Sequence, residues 1–224
     1  MRERPMLFNG AMVRAILEGR KTQTRRAIKA IPWLPGTNPD FSQAAAFQNA
    51  GEFRIAGSEE MTSGFRCPFG EVGDRLWVRE TWVPGYHHEA DEDGSKVSII
   101  YRADNSERSV AAPSYELAER WGREFSEDGD SPPTWRPSIH MPRWAARLMV
   151  EITSVRVERL QAVSEADCRA EGAAGGHGAI PDYAYNATAR EHFEHIWTST
   201  GGDWKANPWV WVVEFRVTEG PANA

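Results

Sequence analysis

Three apolar segments constrain this chain most: RLWVRETWV at 75–83, the alternating run at 147–157, and NPWVWVVEFRV at 207–217. In each, apolar side chains recur at alternate positions, the spacing of a half-buried strand. Gly73-Asp74, a turn dipeptide, opens the first, which carries Leu76, Val78 and the stretch Thr81–Val83. In the second, Leu148, Val150, Ile152, Val155 and Val157 alternate with polar residues, and a slip near Thr153-Ser154 predicts a bulge. In the third, Trp209, Trp211, Val213 and Phe215 share one face. KVSIIYRA at 96–103 is a further strand candidate. Strands this widely spaced, with short helices between them, predict an α+β chain built on a small mixed β-barrel. There is no βαβ alternation and no GxGxxG or GxxxxGK[ST] loop, which argues against the nucleotide-binding α/β folds.

The helices are marked by their ends. GAMVRAILEGR at 10–20 lines up Met12, Val13, Ile16 and Leu17, with Gly19 as its stop. SEADCRAEG starts at Ser164, whose spacing to Asp167 approximates a capping box, and stops at Gly172. A Gly-rich loop at 173–186 leads to ATAREHFEHIW (187–197), with Phe193, Ile196 and Trp197 inward. YELAERWGREF at 115–125 is a further short helix candidate, and the last residues read as a frayed tail. The whole, 1–224, reads as a single domain with flanking short helices and two long insertions, at about 32–65 and 84–134. The first is rich in turn formers and reads as a long loop. Residues 83–130 hold twelve acids against five bases, so the second reads as solvated.

Composition limits the function classes. With 41% apolar residues in 224, the chain can fill a core. No run approaches the roughly 20 apolar residues of a membrane helix. The start, Met-Arg-Glu-Arg-Pro, lacks the apolar stretch of a secretory signal. Two cysteines, Cys67 and Cys168, make neither a disulfide framework nor a Cys-rich zinc module. A soluble cytoplasmic protein without membrane partners is the expectation. The net charge of −6 disfavours a purely electrostatic nucleic-acid binder. Charge is nonetheless uneven. Residues 1–30 carry eight Lys/Arg against Glu3 and Glu18, a sum of +6, which leaves −12 for the other 194. A basic site on an acidic body suits a small or locally anionic ligand.

Within that basic segment, Lys21 and Thr24 lie three apart in GRKTQTRR. Neighbouring cations Arg20, Arg25 and Arg26 disfavour a charged Lys21, and a lysine of lowered pKa can serve as a general base beside a threonine hydroxyl. The plain alternative is a solvated basic turn. Glu171, at the end of the short helix, is either an ordinary surface carboxylate or the group that orients the lysine. Arg79 and Glu80 are adjacent on a strand and so face opposite ways. An inward Glu80 requires a cationic partner, for which Arg25 or Arg26 would serve; otherwise the pair is a surface one. His192 and His195 in HFEH lack a third metal ligand, so no metal is expected, and no cofactor. His87-His88 lie in an acidic loop. His140, flanked by Arg136 and Arg143, is a site candidate or a packed loop residue. Most of the ten tryptophans belong to the core, but one or two, Trp77 among them, could stack a flat heterocycle.

GRKTQTRR followed by GDRLWVRETW resembles the signature of ASCH domains, which are PUA-like β-barrels. The pattern is a helix ending in Gly-x-Lys-Thr, a second Thr and an Arg, then a Gly-Asp turn into a strand. A later strand, a short helix ending in Glu and an aromatic-rich last strand follow in the same order. WRPSIHMPRWAARL and NPWVWVVEF are similar to ASCH-type proteins of phages and prophages. The likeness covers about 110 residues, roughly 6–31, 66–83 and 136–217. Small bacterial members of the family remove the acyl group from N4-acetylcytidine. The resemblance therefore implies a metal-independent amidohydrolase acting on a modified nucleoside, with Lys21, Thr24 and Glu171 as its catalytic set. Arg25, Arg26, Glu80, Trp77 and His140 are the accompanying substrate-binding candidates. The alternative it implies is a module of phage origin that binds RNA or a modified base, or cleaves RNA.

Overall fold

The computed structural model describes residues 1–32, 45–49, 51–57, 61–85, 96–114, 116–117 and 134–218. The strands among them are β1 (Glu3–Leu7), β2 (Gln23–Ala27), β3 (Ala45–Asn49), β4 (Glu52–Ala56), β5 (Arg75–Arg79), β6 (Trp82–Gly85), β7 (Lys96–Tyr101), β8 (Ser106–Ala111), β9 (Met149–Arg159) and β10 (Trp209–Thr218). Three short α-helices accompany them: α1 (Gly10–Leu17), α2 (Glu165–Ala170) and α3 (Ala189–Ser199). The chain is thus α+β and mostly sheet, as its alternation predicts.

The strands form three sheets. One has five strands in the order β1-β5-β9-β10-β2, one pairs β3 with β4, and one runs β6-β7-β8. The three segments that dominate the sequence supply β5, β9 and β10 of the first sheet. No closed barrel is present among the described residues. The stretch 75–83, expected to act as one strand, is split. Leu76 and Val78 are buried between half-buried neighbours, but Trp82 and Val83 are buried in succession. The two-residue period runs on to Trp82 and breaks at Val83, and β6 belongs to a different sheet.

The residues pack as two compact units, each assembled from separate stretches: Met1–Arg2, Glu18–Arg75 and Glu151–Arg216 in one, Glu3–Leu17, Leu76–Val150 and Val217–Ala224 in the other. In the first unit β10 pairs antiparallel with β2, placing Val212 opposite Arg25, Val213 opposite Thr24 and Trp211 opposite Arg26. Trp209 through Val213 are all buried, so the expected alternation describes only one of two covered faces. Val210 and Val212 pack with Leu160, Val163, Cys168, Ala173, Ala189 and Phe193 around α2 and α3. Trp211 makes T-shaped ring contacts with Phe53 and Phe65, with centroids 5.0 and 5.3 Å away. A strand buried on both faces loses its polar alternation. The β3–β4 hairpin corrects the reading of 32–65 as loop. Only Phe53 and Ile55 anchor β4 inward, too few positions to show a period.

The second unit is built on β6-β7-β8. Trp82 stands opposite Tyr101, and Trp82, Val97, Ile99, Tyr101, Met141, Ala145 and Ala146 form its core. The stretch 84–134 is therefore not simply a solvated insertion. Its count of acids averages over flanking chain and hides the inward Val97, Ile99 and Tyr101. In α1, Val13, Ala15 and Ile16 are buried while Leu17 is exposed, and Gly19 leaves the helix at φ +71°. Of the expected helix at 115–125 only residues 116–117 are described, and these are helical; His87-His88 and the C-terminal tail from 219 lie outside the described residues. No helix among the described residues is long and apolar enough to cross a membrane.

Candidate functional site

Lys21 and Glu171 meet in the first unit because two local signals end where they should. Ser164 caps α2 through a reciprocal capping box with Asp167. At the other end Gly172 turns at φ +94°, while the Ala173 N–H reaches back to the Cys168 carbonyl at 3.0 Å. Glycine suits that left-handed closing turn. Cys168 and Ala173 are both fully buried, which fixes how the helix end docks. Glu171, the residue between, forms an isolated antiparallel bridge with Lys21. On the far side the Phe215 N–H donates to the Thr22 carbonyl, so the segment before β2 is held from both directions.

Lys21 is 1% exposed. Its Nζ donates to the Gln23 carbonyl at 2.8 Å, to the Glu171 carbonyl at 2.9 Å and to Glu171 Oε2 at 2.6 Å. Burial pulls its pKa below the ordinary lysine value, against the opposing pull of the Glu171 carboxylate, while Arg26 and Arg25 lower it further. The direction is the one expected from sequence, but its main cause is loss of water and not repulsion by neighbouring arginines.

A network of charges extends from this pair. The Arg25 side chain is wholly enclosed. Its Nη2 and Nε donate to Glu158 Oε1 at 2.6 and 3.0 Å, and its Nη1 donates to Glu171 Oε1 and Gln23 Oε1, each at 3.3 Å. The guanidinium also lies 5.9 Å from the centre of the Phe193 ring. Gln23 donates to Asp167 Oδ1 at 2.9 Å, and Arg156 links Glu158, Asp167 and Glu214. Burial raises the Asp167 pKa, but hydrogen bonds from Gln23 and Ser164 and the charge of Arg25 outweigh it, so the carboxyl titrates at about 2.

Alternation along β2 sets Gln23 and Arg25 on one face and Thr24 and Arg26 on the other. Thr24 is 1% exposed opposite Val213, and Arg26 is half-buried opposite Trp211. Among the described residues the Thr24 hydroxyl makes no hydrogen bond. The structure thus brings Lys21 and Arg25 each into direct contact with Glu171.

The remaining candidates, Glu80, Trp77 and His140, belong to the second unit. Glu80 is inward, 1% exposed, and the partner it requires is Arg147, with Nε–Oε1 and Nη2–Oε2 distances of 2.8 and 2.9 Å. Trp77 is partly buried, with the Arg79 guanidinium 5.3 Å from its ring centre. His140 is exposed at the end of a single 3₁₀ turn. Glu158, Arg156 and Asp167 escaped the sequence reading as site residues. Glu158 and Arg156 occupy polar positions of β9 that alternation assigns to solvent, and Asp167 carries only a capping signal. Among the described residues no group of three or more His, Cys, Asp and Glu is arranged to hold a metal ion. Compared with family models, with curated proteins and with solved structures, the chain matches none.

Proposed function

We propose that this chain is a cytoplasmic, metal-independent amidohydrolase of ASCH type, on a PUA-like barrel, that removes the acyl group from N4-acylated cytosine nucleosides such as N4-acetylcytidine. The observation that carries this reading is the 2.6 Å contact between Lys21 Nζ and Glu171 Oε2, buried and joining residues 150 positions apart. Both belong to the catalytic set that the resemblance implies; burial lowers the Lys21 pKa toward the neutral amine that a base must present, against the pull of Glu171, and that amine gives up one of the three bonds Nζ donates. In the reaction, Thr24 Oγ bonds to the acyl carbon as its proton passes to Lys21 Nζ. The C–N bond then breaks, and its electron pair takes the proton to give the free cytosine amine. Water hydrolyses the threonine ester and releases the carboxylic acid. Glu171 orients Lys21, and Arg26 supplies positive charge toward the oxyanion.

The test is incubation of purified protein with N4-acetylcytidine, with cytidine release followed by chromatography. Wild type releases cytidine, Lys21→Ala loses at least about 100-fold in turnover at saturating substrate, and Thr24→Ala does likewise. Thr24→Ser retains a measurable rate because the hydroxyl survives. The Lys21→Ala, Thr24→Ala double variant is hardly worse than either single one, as expected of residues acting as a unit. Equal turnover by Lys21→Ala and wild type would sink the mechanism. Salt-sensitive RNA binding with no deacylation would replace the enzyme reading with that of a binding module.

A further inference from the structure

We infer that Arg25 is a positioning residue: it holds Oε1 of Glu171 so that Oε2 of the same carboxylate stays aimed at Lys21 Nζ. The inference rests on the hydrolase reading only for its kinetic arm. Arg25 is adjacent in sequence to Arg26 and carries the same charge, but its surroundings are different. Its side chain has no exposed surface, and its donors are committed to Glu158, Gln23 and Glu171. Enclosed in this way, Arg25 is not a group that substrate touches.

Geometry gives it a definite task. Glu171 has two carboxylate oxygens, and each has its own cation, Arg25 Nη1 at Oε1 (3.3 Å) and Lys21 Nζ at Oε2 (2.6 Å). A carboxylate held at one oxygen only can rotate about its terminal torsion, where barriers are low and the wells broad. Held at both, it has one orientation. The Arg25 end is itself anchored, because two of its nitrogens converge on Glu158 Oε1 and the guanidinium lies by the Phe193 ring. A planar fork with donors on several edges can span Glu158 and Glu171 at once, which a lysine ammonium on a flexible stem cannot.

The arrangement has a consequence for Lys21 that a purely structural arginine would lack. The charged groups acting on Lys21 are Glu171, Arg26 and Arg25. Glu171 favours the ammonium and the two arginines disfavour it. Removing Arg25 takes away one opposing cation and leaves both Glu171 oxygens to Lys21. The lysine must then titrate at higher pH, and a rate that depends on its neutral form must rise at higher pH.

The experiment compares wild type, Arg25→Gln and Arg25→Lys, each checked for folding by circular dichroism. The chain has four lysines, Lys21, Lys29, Lys96 and Lys205, so ε-carbon-13 lysine labelling gives four resonances, and Lys21→Arg identifies the relevant one. In Arg25→Gln the Lys21 titration moves to higher pH, with Arg25→Lys between it and wild type. With N4-acetylcytidine, Arg25→Gln lowers kcat about tenfold or more, leaves KM within about twofold, and moves the rising limb of the pH profile in the same direction. A Lys21 titration unchanged in both variants overturns the inference, as does a kcat unchanged with an unmoved limb. If wild type releases no cytidine, the hydrolase reading fails while the lysine titration still decides the role of Arg25. If Arg25→Gln does not fold, Arg25→Lys alone decides, by whether its titration leaves the wild-type position.

Discussion

A carboxylate as enclosed as Glu80 is tolerable only with its partner in place. Arg147 supplies a two-point contact, sends Nη1 on to Asp104 at 2.8 Å and to Ser106, and lies 4.2 Å from the centre of the Tyr101 ring. Burial raises the Glu80 pKa against the pull of Arg147, and it raises Tyr101 to about 12. Removing one member of such a pair strands the other. Glu80→Ala should therefore cost about 3 kcal/mol of stability, read as a lower urea midpoint. Glu80→Gln, which keeps an acceptor, should cost less. An alanine variant as stable as wild type would show that Arg147 finds water or another acceptor. That Arg79 and Glu80 face opposite ways was legible in RETW, but not that Glu80 is the inward one. Its partner was not legible either, since Arg147 lies 67 positions away and pattern within a strand says nothing about what crosses to it. The same limit separates Lys21, readable from its own octet, from Glu158, which only the folded chain brings to Arg25.

At the scale of elements, legibility followed locality. The caps of α2 and α3 are short-range chemistry, and both helices carry full capping boxes, Ser164 with Asp167 and Thr188 with Glu191. The bulge expected near Thr153-Ser154 agrees with the burial pattern of β9, where inward parity changes between Ile152 and Val155. What the pattern could not supply was the point at which a strand changes sheets, as after Arg79, or a hairpin with two inward side chains, as in β3–β4. Those outcomes depend on which surface lies opposite. The capping boxes also make a prediction. Ser164→Ala removes the acceptor for the Asp167 N–H, found at 3.1 Å, and should cost about 1 kcal/mol. The loss is measured by chemical denaturation. Because α2 has only six residues and Glu171 is its C-cap, the variant should also lower any turnover that depends on Lys21. Unchanged stability would mean that packing of Cys168 alone holds the helix.

For the whole molecule, alternation predicts an α+β chain, which the structure has, with β5, β9 and β10 in one sheet and no closed barrel among the described residues; the acid pH range tests how its charges contribute. Asp167 in the first unit and Asp104 in the second are both strongly engaged. Asp167 titrates at about 2 for the reasons given above, and Asp104 also at about 2, because hydrogen bonds from Arg147 and Ser106 outweigh the upward push of burial. Both lie below the ordinary aspartate value of 3.8. The unfolded chain therefore takes up these two protons at higher pH than the folded one. Their stabilising contribution is complete above about pH 4 and is lost as pH falls through about 2. Glu80 has the opposite sign. Its folded pKa is raised above 4.5, so the folded state binds that proton first, and stability gains as pH falls through the raised value toward 4.5. Stability measured by urea unfolding should accordingly hold or rise slightly as pH falls toward 4.5, then drop steeply between about 4 and 2. Asp104→Asn and Asp167→Asn should each be less stable than wild type at pH 6 and should flatten the drop, while Glu80→Gln should remove only the rise. An acid limb as steep in both asparagine variants as in wild type would mean that other carboxylates govern acid unfolding.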